Sequence, residues 1–163
     1  MAKMSYKRKT WEEKLEDKEN LPKILKLRAK FPCAKALMKL GAKSGDTVVI
    51  TQPKEVLEIM RRVPKGKLIT IKELCERLAK RHGAKFCCTL TAGIFVMIAA
   101  NAEEETKGST PYWRTLKMDG ALNEKFPGGE EGQRKRLEKE GHKVVKRGKR
   151  LYVEDFQKYL LAK

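Results

Sequence analysis

Two short segments of the sequence bring together side chains that could act chemically. Cys87 and Cys88 stand just before a predicted helix, and a thiol at a helix N-terminus is more readily ionised to a nucleophilic thiolate. However, no base lies near Cys88 in the sequence, and Phe86 indicates an apolar setting. Tyr112 and Trp113 are adjacent, but a phenol with an ordinary pKa of about 10 stays protonated at neutral pH, and an indole accepts no proton. The first segment therefore permits covalent chemistry, whereas the second favours packing or stacking.

The chain carries a large positive charge. Its 163 residues include 38 lysines and arginines against 21 aspartates and glutamates, which gives a formal net charge of +17 at pH 7. Such an excess favours a polyanionic partner, namely DNA, RNA or an anionic membrane surface, and a highly charged protein that stays soluble is the alternative. Cations are densest near the C-terminus, at Lys143, Lys146, Arg147, Lys149 and Arg150. Such a cluster suits a phosphate backbone, with a solvated charge run as the alternative.

Several classes of protein are disfavoured. No apolar run reaches the roughly 18 residues of a membrane span, and the basic N-terminus is not followed by the apolar stretch of a signal peptide. The four cysteines form no Cys-x-x-Cys pair and have no histidine at metal-binding spacing, so we expect neither a metal nor a cofactor. Adjacent cysteines rarely bridge each other. We therefore expect a cytoplasmic monomer with reduced cysteines and no membrane contact.

The first 52 residues are interpreted as an extension that packs on the main domain. Thr10-Trp11-Glu12-Glu13 is a capping box, which predicts a helix to about Glu19. Residues 47–50 predict a short strand. The extension could cover the core, bind a partner or add basic surface.

Residues 53–163 predict a mainly helical domain with short strands. Pro53 suits the first turn of a first helix. A second capping box at Thr70-Ile71-Lys72-Glu73 starts a second helix that ends near Gly83. A third helix is predicted from about Thr89 to Ala102. Helix, short turn and helix at this spacing outline a helix-turn-helix.

The C-terminal third predicts a wing. A polar loop is expected over residues 103–110, a helix over 130–139, a hairpin with a basic tip over 143–153 and a closing helix over 154–161. A helix-turn-helix followed by a hairpin is a winged helix. The predicted fold class is therefore mainly α with short β, a winged helix-turn-helix core with an N-terminal extension.

A series of short motifs runs through residues 53–143. It comprises Val63-Pro64-Lys65-Gly66-Lys67, Ile69-Thr70-Ile71, Asn101, Pro111, Arg114, Asp119-Gly120, Gly128-Gly129 and Glu140-Gly141-His142. Each motif is weak alone, but their order and spacing resemble the DNA-binding domain of the O⁶-alkylguanine-DNA alkyltransferase family. The resemblance implies a winged helix-turn-helix that binds duplex DNA.

The resemblance also implies that the family's chemistry is lost. The family reads Pro-Cys-His-Arg where this chain reads Pro111-Tyr112-Trp113-Arg114, and its cysteine takes the alkyl group from DNA as a thiolate. Tyr112 and Trp113 stand at the cysteine and histidine positions, and Glu140 matches the family's activating glutamate. We expect no alkyl transfer by that mechanism.

Two further departures concern nucleotide flipping, which costs a few kcal/mol. Ile71 stands where the family has the tyrosine that helps rotate the nucleotide, and the arginine that fills the vacated stack falls near Thr91 or Ala92. This chain is similar to the alkyltransferase-like proteins. Those proteins replace the cysteine, often by tryptophan, and bind alkylated DNA without repairing it. This chain differs from them in its Tyr112-Trp113 pair and in lacking the arginine.

The candidate site residues fall into three groups. The lesion-pocket candidates are Pro111, Tyr112, Trp113, Arg114 and Glu140. The DNA-binding candidates are Lys85, Thr89, Thr91, Lys146, Arg147, Lys149 and Arg150. The hinge candidate after the recognition helix is Asn101.

Alternative roles stay open for several candidates. Tyr112 and Trp113 either stack on an extruded base, which is worth about 1–3 kcal/mol, or fill the space of a lost active site. Arg114 is expected to hold its segment through backbone carbonyls. Thr89 and Thr91 either bind phosphate oxygens or cap their helix.

Three functions are compatible with these observations. The leading hypothesis is a non-enzymatic, alkyltransferase-like DNA-binding protein that senses altered bases and works with a repair-pathway protein. The second is a winged-helix module that binds DNA or RNA without lesion preference. The third is an atypical alkyltransferase that uses Cys88. An open cavity beside Tyr112 and Trp113 would favour lesion binding, and a filled one would favour plain DNA binding.

Overall fold

The computed structural model of the protein describes residues 8–17 and 20–161. The helices of these residues are α1 (Trp11–Glu16), α2 (Ala34–Lys39), α3 (Pro53–Arg61), α4 (Ile71–His82), α5 (Thr89–Thr106) and α6 (Gly129–Lys139). The strands are β1 (Lys23–Lys26), β2 (Thr47–Ile50), β3 (Ile69–Thr70), β4 (Phe86–Cys87), β5 (Thr115–Leu116), β6 (Val144–Arg147) and β7 (Arg150–Val153). Two 3₁₀ turns cover Tyr112–Arg114 and Phe156–Tyr159.

The N-terminal segment shares a sheet with the helical domain. β1 pairs antiparallel with β2, and β2 pairs parallel with β4, which lies between α4 and α5. The helix predicted from Trp11 is present and capped, since Thr10 Oγ1 accepts a hydrogen bond from the Glu13 amide at 3.1 Å. It ends at Glu16, before the predicted end, while residues 18 and 19 lie outside the described part of the chain. The domain boundary at residue 52 stays a prediction.

The central helices have the predicted order, but the predicted cap of α4 and the predicted length of α5 are wrong. α4 begins and ends as expected, and Gly83 closes it at a φ of 68°. However, the predicted capping box is wrong: the Thr70 hydroxyl makes no hydrogen bond. Thr70 is also the last residue of β3, whose pairing with β5 leaves its side chain only 1% exposed.

α5 is longer than the sequence indicated. Its last four residues were predicted to be loop because they are polar. Glu103 is nevertheless 7% exposed, and it accepts hydrogen bonds from Arg61 of α3 and from the Thr110 amide. A tertiary partner for this carboxylate therefore lets the helix continue to Thr106.

The C-terminal hairpin is present as predicted, with Val144 opposite Val153 and Arg147 opposite Arg150. The closing helix predicted over residues 154–161 is wrong, because only a short 3₁₀ turn forms there. The following residues instead extend beside Leu68, whose amide donates to the Tyr159 carbonyl at 2.8 Å and whose carbonyl accepts from the Leu161 amide at 3.0 Å. This pairing takes up backbone groups that a longer helix would have used.

Three apolar clusters form the core, and the 112–114 turn packs against the first and the third of them. The largest lies under α3, α4 and α5, the second contains Leu27, Leu37 and Val48, and the third lies beneath the hairpin. All four cysteines are free and buried. Among the described residues, no helix has the length and apolar character needed to cross a bilayer.

Candidate functional site

Tyr112 lies inside the core. Its side chain is 4% exposed, and its ring makes edge contacts with Trp113 at 5.4 Å and with Phe126 at 5.6 Å between centroids. Its hydroxyl donates to Glu104 Oε2 at 3.2 Å. Burial raises the pKa of Tyr112, and Glu104 adds to this effect against the opposing charge of Arg136. The phenol is thus a neutral donor whose faces are covered by protein, and Pro111 beside it is buried as well.

Arg114 and Glu140 form a buried ion pair behind this turn. Arg114 Nη2 lies 2.7 Å from Glu140 Oε2, Arg114 Nε donates to both carboxylate oxygens at 2.9 and 3.0 Å, and the exposed fractions of the two side chains are 13% and 7%. Arg114 Nη1 also donates to the Val63 carbonyl at 2.7 Å, which is the backbone contact expected of it. The Trp113 indole donates to Glu140 Oε1.

These donors decide the ionisation of Glu140. Burial by itself would raise the pKa of this carboxyl, but the hydrogen bonds from Arg114 and Trp113 outweigh it and hold the pKa below its ordinary value. A carboxylate that accepts from two side chains and is stabilised as an anion is a poor proton acceptor. Glu140 therefore anchors the 3₁₀ turn through its hydrogen bonds to Trp113 and Arg114.

His142 is buried and unpartnered. It is 5% exposed, neither ring nitrogen makes a hydrogen bond, and its ring meets the edge of Tyr159 at 4.7 Å. Burial lowers its pKa, an effect that the Glu140 charge opposes and the Arg114 charge reinforces. A neutral, packed imidazole indicates a structural role for His142.

The outer face of α5 is apolar. Leu90 is 50% exposed and Ile94 is 46% exposed, and together with Gly93 and Met97 they line a groove of about 400 Å³. The other wall includes Met118. The sequence analysis did not identify this groove, although the spacing of these residues at i, i+3, i+4 and i+7 was a usable signal.

The two threonines at the start of α5 do not face outwards as phosphate ligands would. Thr89 is 9% exposed, and the Thr91 hydroxyl lies 3.2 Å from Cys88 Sγ. The cap of the helix is Cys88, whose Sγ accepts from the Thr91 amide at 3.5 Å. Cysteine is not among the usual N-cap residues, so the sequence gave no sign of this role. Ala92, one of the two positions matched to the family's arginine, is buried, with only 2% of its surface exposed.

Asn101 fastens α5 to the loop that borders the groove. Its side-chain amide donates to the Met97 carbonyl at 2.9 Å and to the Lys125 carbonyl at 3.1 Å. This two-sided contact fits the hinge role that the resemblance implied.

The basic hairpin is exposed and lies next to the groove. Its four candidate cations are all exposed: Lys146, Arg147, Lys149 and Arg150. The Leu122 amide donates to the Leu151 carbonyl at 2.9 Å, so the hairpin is held against the 117–122 segment. That segment also contributes Met118 to the groove. Lys85 lies apart from the hairpin, on the β2–β4 side, where its ammonium is 3.4 Å from Asp46 Oδ1.

Cys88 has no catalytic partner in the described residues. Its side chain is 5% exposed, and its neighbours are the Thr91 hydroxyl and the thiol of Cys33. The pKa of Cys33 is raised to about 11, first by burial and then by its hydrogen bond with Cys88. No group of three or more metal-ligating side chains occurs in residues 8–17 and 20–161.

No family model matches the sequence, and no curated protein matches it at a significant level. Two solved structures from S. pombe are similar in fold. Atl1 in complex with damaged DNA containing O⁶-carboxymethylguanine superposes with a TM-score of 0.51 and 19% identity. The S. pombe ATL in complex with DNA gives a TM-score of 0.52 and 18% identity. Each match covers 68% of this chain and 94% of the other.

The protein shares the fold of these two structures. The predicted fold class, helical with short strands around a helix-turn-helix and a hairpin wing, is therefore confirmed. At this identity the likeness extends to the fold alone, so the roles of the site residues rest on the geometry above.

Proposed function

We propose that this protein is a non-enzymatic, alkyltransferase-like protein that binds duplex DNA and prefers alkylated or otherwise altered bases. Its fold is that of two S. pombe proteins whose structures contain DNA. Its net charge of +17 favours a polyanion. In this proposal it acts as a cytoplasmic monomer beside a repair-pathway protein.

The observation that carries the proposal is the charge on the hairpin. Arg147 and Arg150 lie directly opposite each other in the β6–β7 ladder, and like charges in such pairs destabilise a hairpin. Asp119 lies 3.6 Å from Arg150 and offsets this repulsion in part. A phosphate backbone would relieve this repulsion and release counterions. The hairpin also borders the α5 groove, so both surfaces could meet the same duplex.

The α5 groove supports a preference for altered bases. Its apolar wall of Leu90, Ile94 and Met118 could contact an added alkyl group, and Ile71 lies at its base. The second candidate, DNA binding without lesion preference, is favoured by the burial of Tyr112, which leaves its ring faces closed to an extruded base. The buried Cys88, with a threonine and a cysteine beside it, gives no support to alkyl transfer.

Neutralising the hairpin tests DNA binding. We expect the variant Lys146→Gln/Arg147→Gln/Lys149→Gln/Arg150→Gln to lose at least about tenfold in duplex affinity. The slope of log K against log[salt] should flatten by up to about 3.6, because each of the four lost phosphate contacts removes about 0.9 of slope. Fluorescence anisotropy over a salt series measures both quantities.

The matched control neutralises four exposed cations that already lie near carboxylates: Lys9, Lys54, Arg134 and Lys158. This control has the same net charge and should bind nearly as the wild type does. Equal losses in the two variants would mean that net charge, not the hairpin, governs binding.

Lesion preference is tested separately, with a duplex containing one O⁶-methylguanine against the same duplex with guanine. We expect severalfold tighter binding to the altered duplex, and a smaller difference for Ile94→Ala. Met38→Ala, at a residue 39% exposed on α2, is the control. Equal wild-type affinities for the two duplexes would leave plain DNA binding in place and remove lesion sensing.

A further inference from the structure

α6 separates its charges by face. Arg134 lies 2.7 Å from Glu138 and 3.4 Å from Glu131, so the charges on that side are paired along the helix. Gln133 and Leu137 are buried against the domain. The remaining face follows a helical spacing of i, i+3, i+4 and i+7 and consists of Gly132, Lys135, Arg136 and Lys139.

This cationic face forms one side of an open cleft of about 620 Å³. The other side is made by Lys65, Trp113 and the Arg114–Glu140 pair. Because Glu140 and Arg114 neutralise each other at 2.7 Å, the cleft keeps an excess of positive charge. The cleft and the α5 groove have no lining residue in common.

Most of the cations in this cleft have no acidic partner. In the part of the chain that the structure describes, Lys65, Lys135 and Lys139 form no ion pair. Arg136 reaches Glu104 only at 3.9 Å, and its guanidinium stacks on the Trp113 ring at 4.6 Å. The cleft therefore offers three exposed ammonium groups around a flat aromatic wall.

The position of the cleft separates it from the groove along α5. Arg136 approaches Glu104 in the last turn of α5, whereas the groove is lined by Leu90 and Ile94 in its first turns. The α5 residue of the groove that is nearest to Glu104 in sequence is Met97, and at 1.5 Å per residue the seven residues from Met97 to Glu104 span about 10 Å.

We propose that this cleft binds an acidic peptide segment of a partner protein. Carboxylates of such a segment would pair with the lysine row, and an aliphatic side chain between them would pack on Trp113 and Arg136, residue types that are enriched at protein interfaces. The cleft is too open to enclose a small anion. This inference goes beyond DNA binding and does not depend on it.

The test uses the full-length chain and a fluorescein-labelled peptide of Asp-Glu-Leu repeats, with Asn-Gln-Leu repeats as the neutral probe. The cleft variant is Lys65→Gln/Lys135→Gln/Lys139→Gln, and the matched control is Lys146→Gln/Arg147→Gln/Lys149→Gln, which loses the same charge from the hairpin. We expect the cleft variant to bind the acidic peptide about tenfold more weakly and the control less than twofold more weakly. Duplex DNA should show the reverse order.

A site-specific signal complements the affinities. The chain contains only two tryptophans, Trp11 and Trp113, so Trp11→Phe leaves Trp113 as the sole reporter. Saturating acidic peptide should shift its emission, and the neutral peptide should not. Equal losses in the two charge variants, an unchanged Trp113 emission, or a duplex affinity that falls more in the cleft variant would each overturn the proposal.

Discussion

At the residue scale, the centre of the molecule is the carboxylate of Glu140. It accepts from Arg114 and Trp113, and Arg114 continues to the Val63 carbonyl after α3. One buried anion thus joins the 3₁₀ turn, the end of α6 and the end of α3. The indole N–H of Trp113, the only hydrogen-bond donor of this side chain, binds Glu140. This hydrogen bond gives a physical reason for a tryptophan at position 113.

We expect Glu140→Gln to lower the free energy of unfolding at pH 7 by about 3 kcal/mol, because it leaves the buried Arg114 charge uncompensated. The folded-state pKa of Glu140 lies below its unfolded value. Its contribution is therefore present above the unfolded pKa and is lost as the pH falls through the folded pKa. Urea titrations of variant and wild type should converge as the solution is acidified.

Glu138→Gln, two residues away, is the matched control, since Glu138 pairs with Arg134 at the surface. An exposed pair contributes less than about 1 kcal/mol. A Glu140→Gln cost as small as that of the control would contradict the structural role assigned to Glu140.

At the element scale, the 117–122 segment positions the hairpin. The Val153 amide donates to the Gly120 carbonyl at 3.1 Å, and Gly120 has a φ of 86°. A Cβ at this position would clash with the ring of Phe156. The close approach lets the hairpin and the final 3₁₀ turn pack on the same loop.

We expect Gly120→Ala to destabilise the protein by about 3 kcal/mol or more, because an unfavourable φ adds to overpacking. Gly148→Ala at the hairpin tip is the control, with a φ of 63° and open space around it. It should cost only the backbone term, about 1 kcal/mol. If chemical denaturation gave the same loss of unfolding free energy for both variants, the ring of Phe156 would have moved aside without a measurable energetic cost.

At the scale of the whole molecule, the N-terminal segment completes the structure. β2 pairs with β4 of the helix-turn-helix, Leu15 of α1 joins the main core, and Lys54 of α3 lies 2.7 Å from Glu16. These contacts tie the extension to α3, to β4 and to the main core.

We therefore expect a chain limited to residues 53–163 to unfold at a lower temperature than the full chain, with β4 left unpaired. Calorimetry would contradict this expectation if the shorter domain melted as the full chain does, which would instead favour residue 52 as the boundary of an autonomous domain.

Local sequence patterns predicted the elements whose backbone hydrogen bonds are made by residues close in sequence. The Pro53 start, the Thr10 cap, the Gly83 stop and the two-stranded hairpin all depend on neighbours in sequence, and the structure contains each of them. The resemblance in turn implied the backbone contact that Arg114 makes.

The sequence by itself determined the charge, the order of the helices and the absence of the family's cysteine and histidine, because these depend on residue identity and short-range spacing. Tertiary structure decided the length of α5, through the contacts of Glu103, and left the hydroxyl of Thr70 without a hydrogen bond. It also replaced the predicted last helix by an extended segment that pairs with Leu68. It also decided that Tyr112 is buried while Trp113 borders a cationic cleft. Adjacent residues on a 3₁₀ turn point in different directions, and only the packing of α3, α5 and α6 around the turn determines which ring meets solvent.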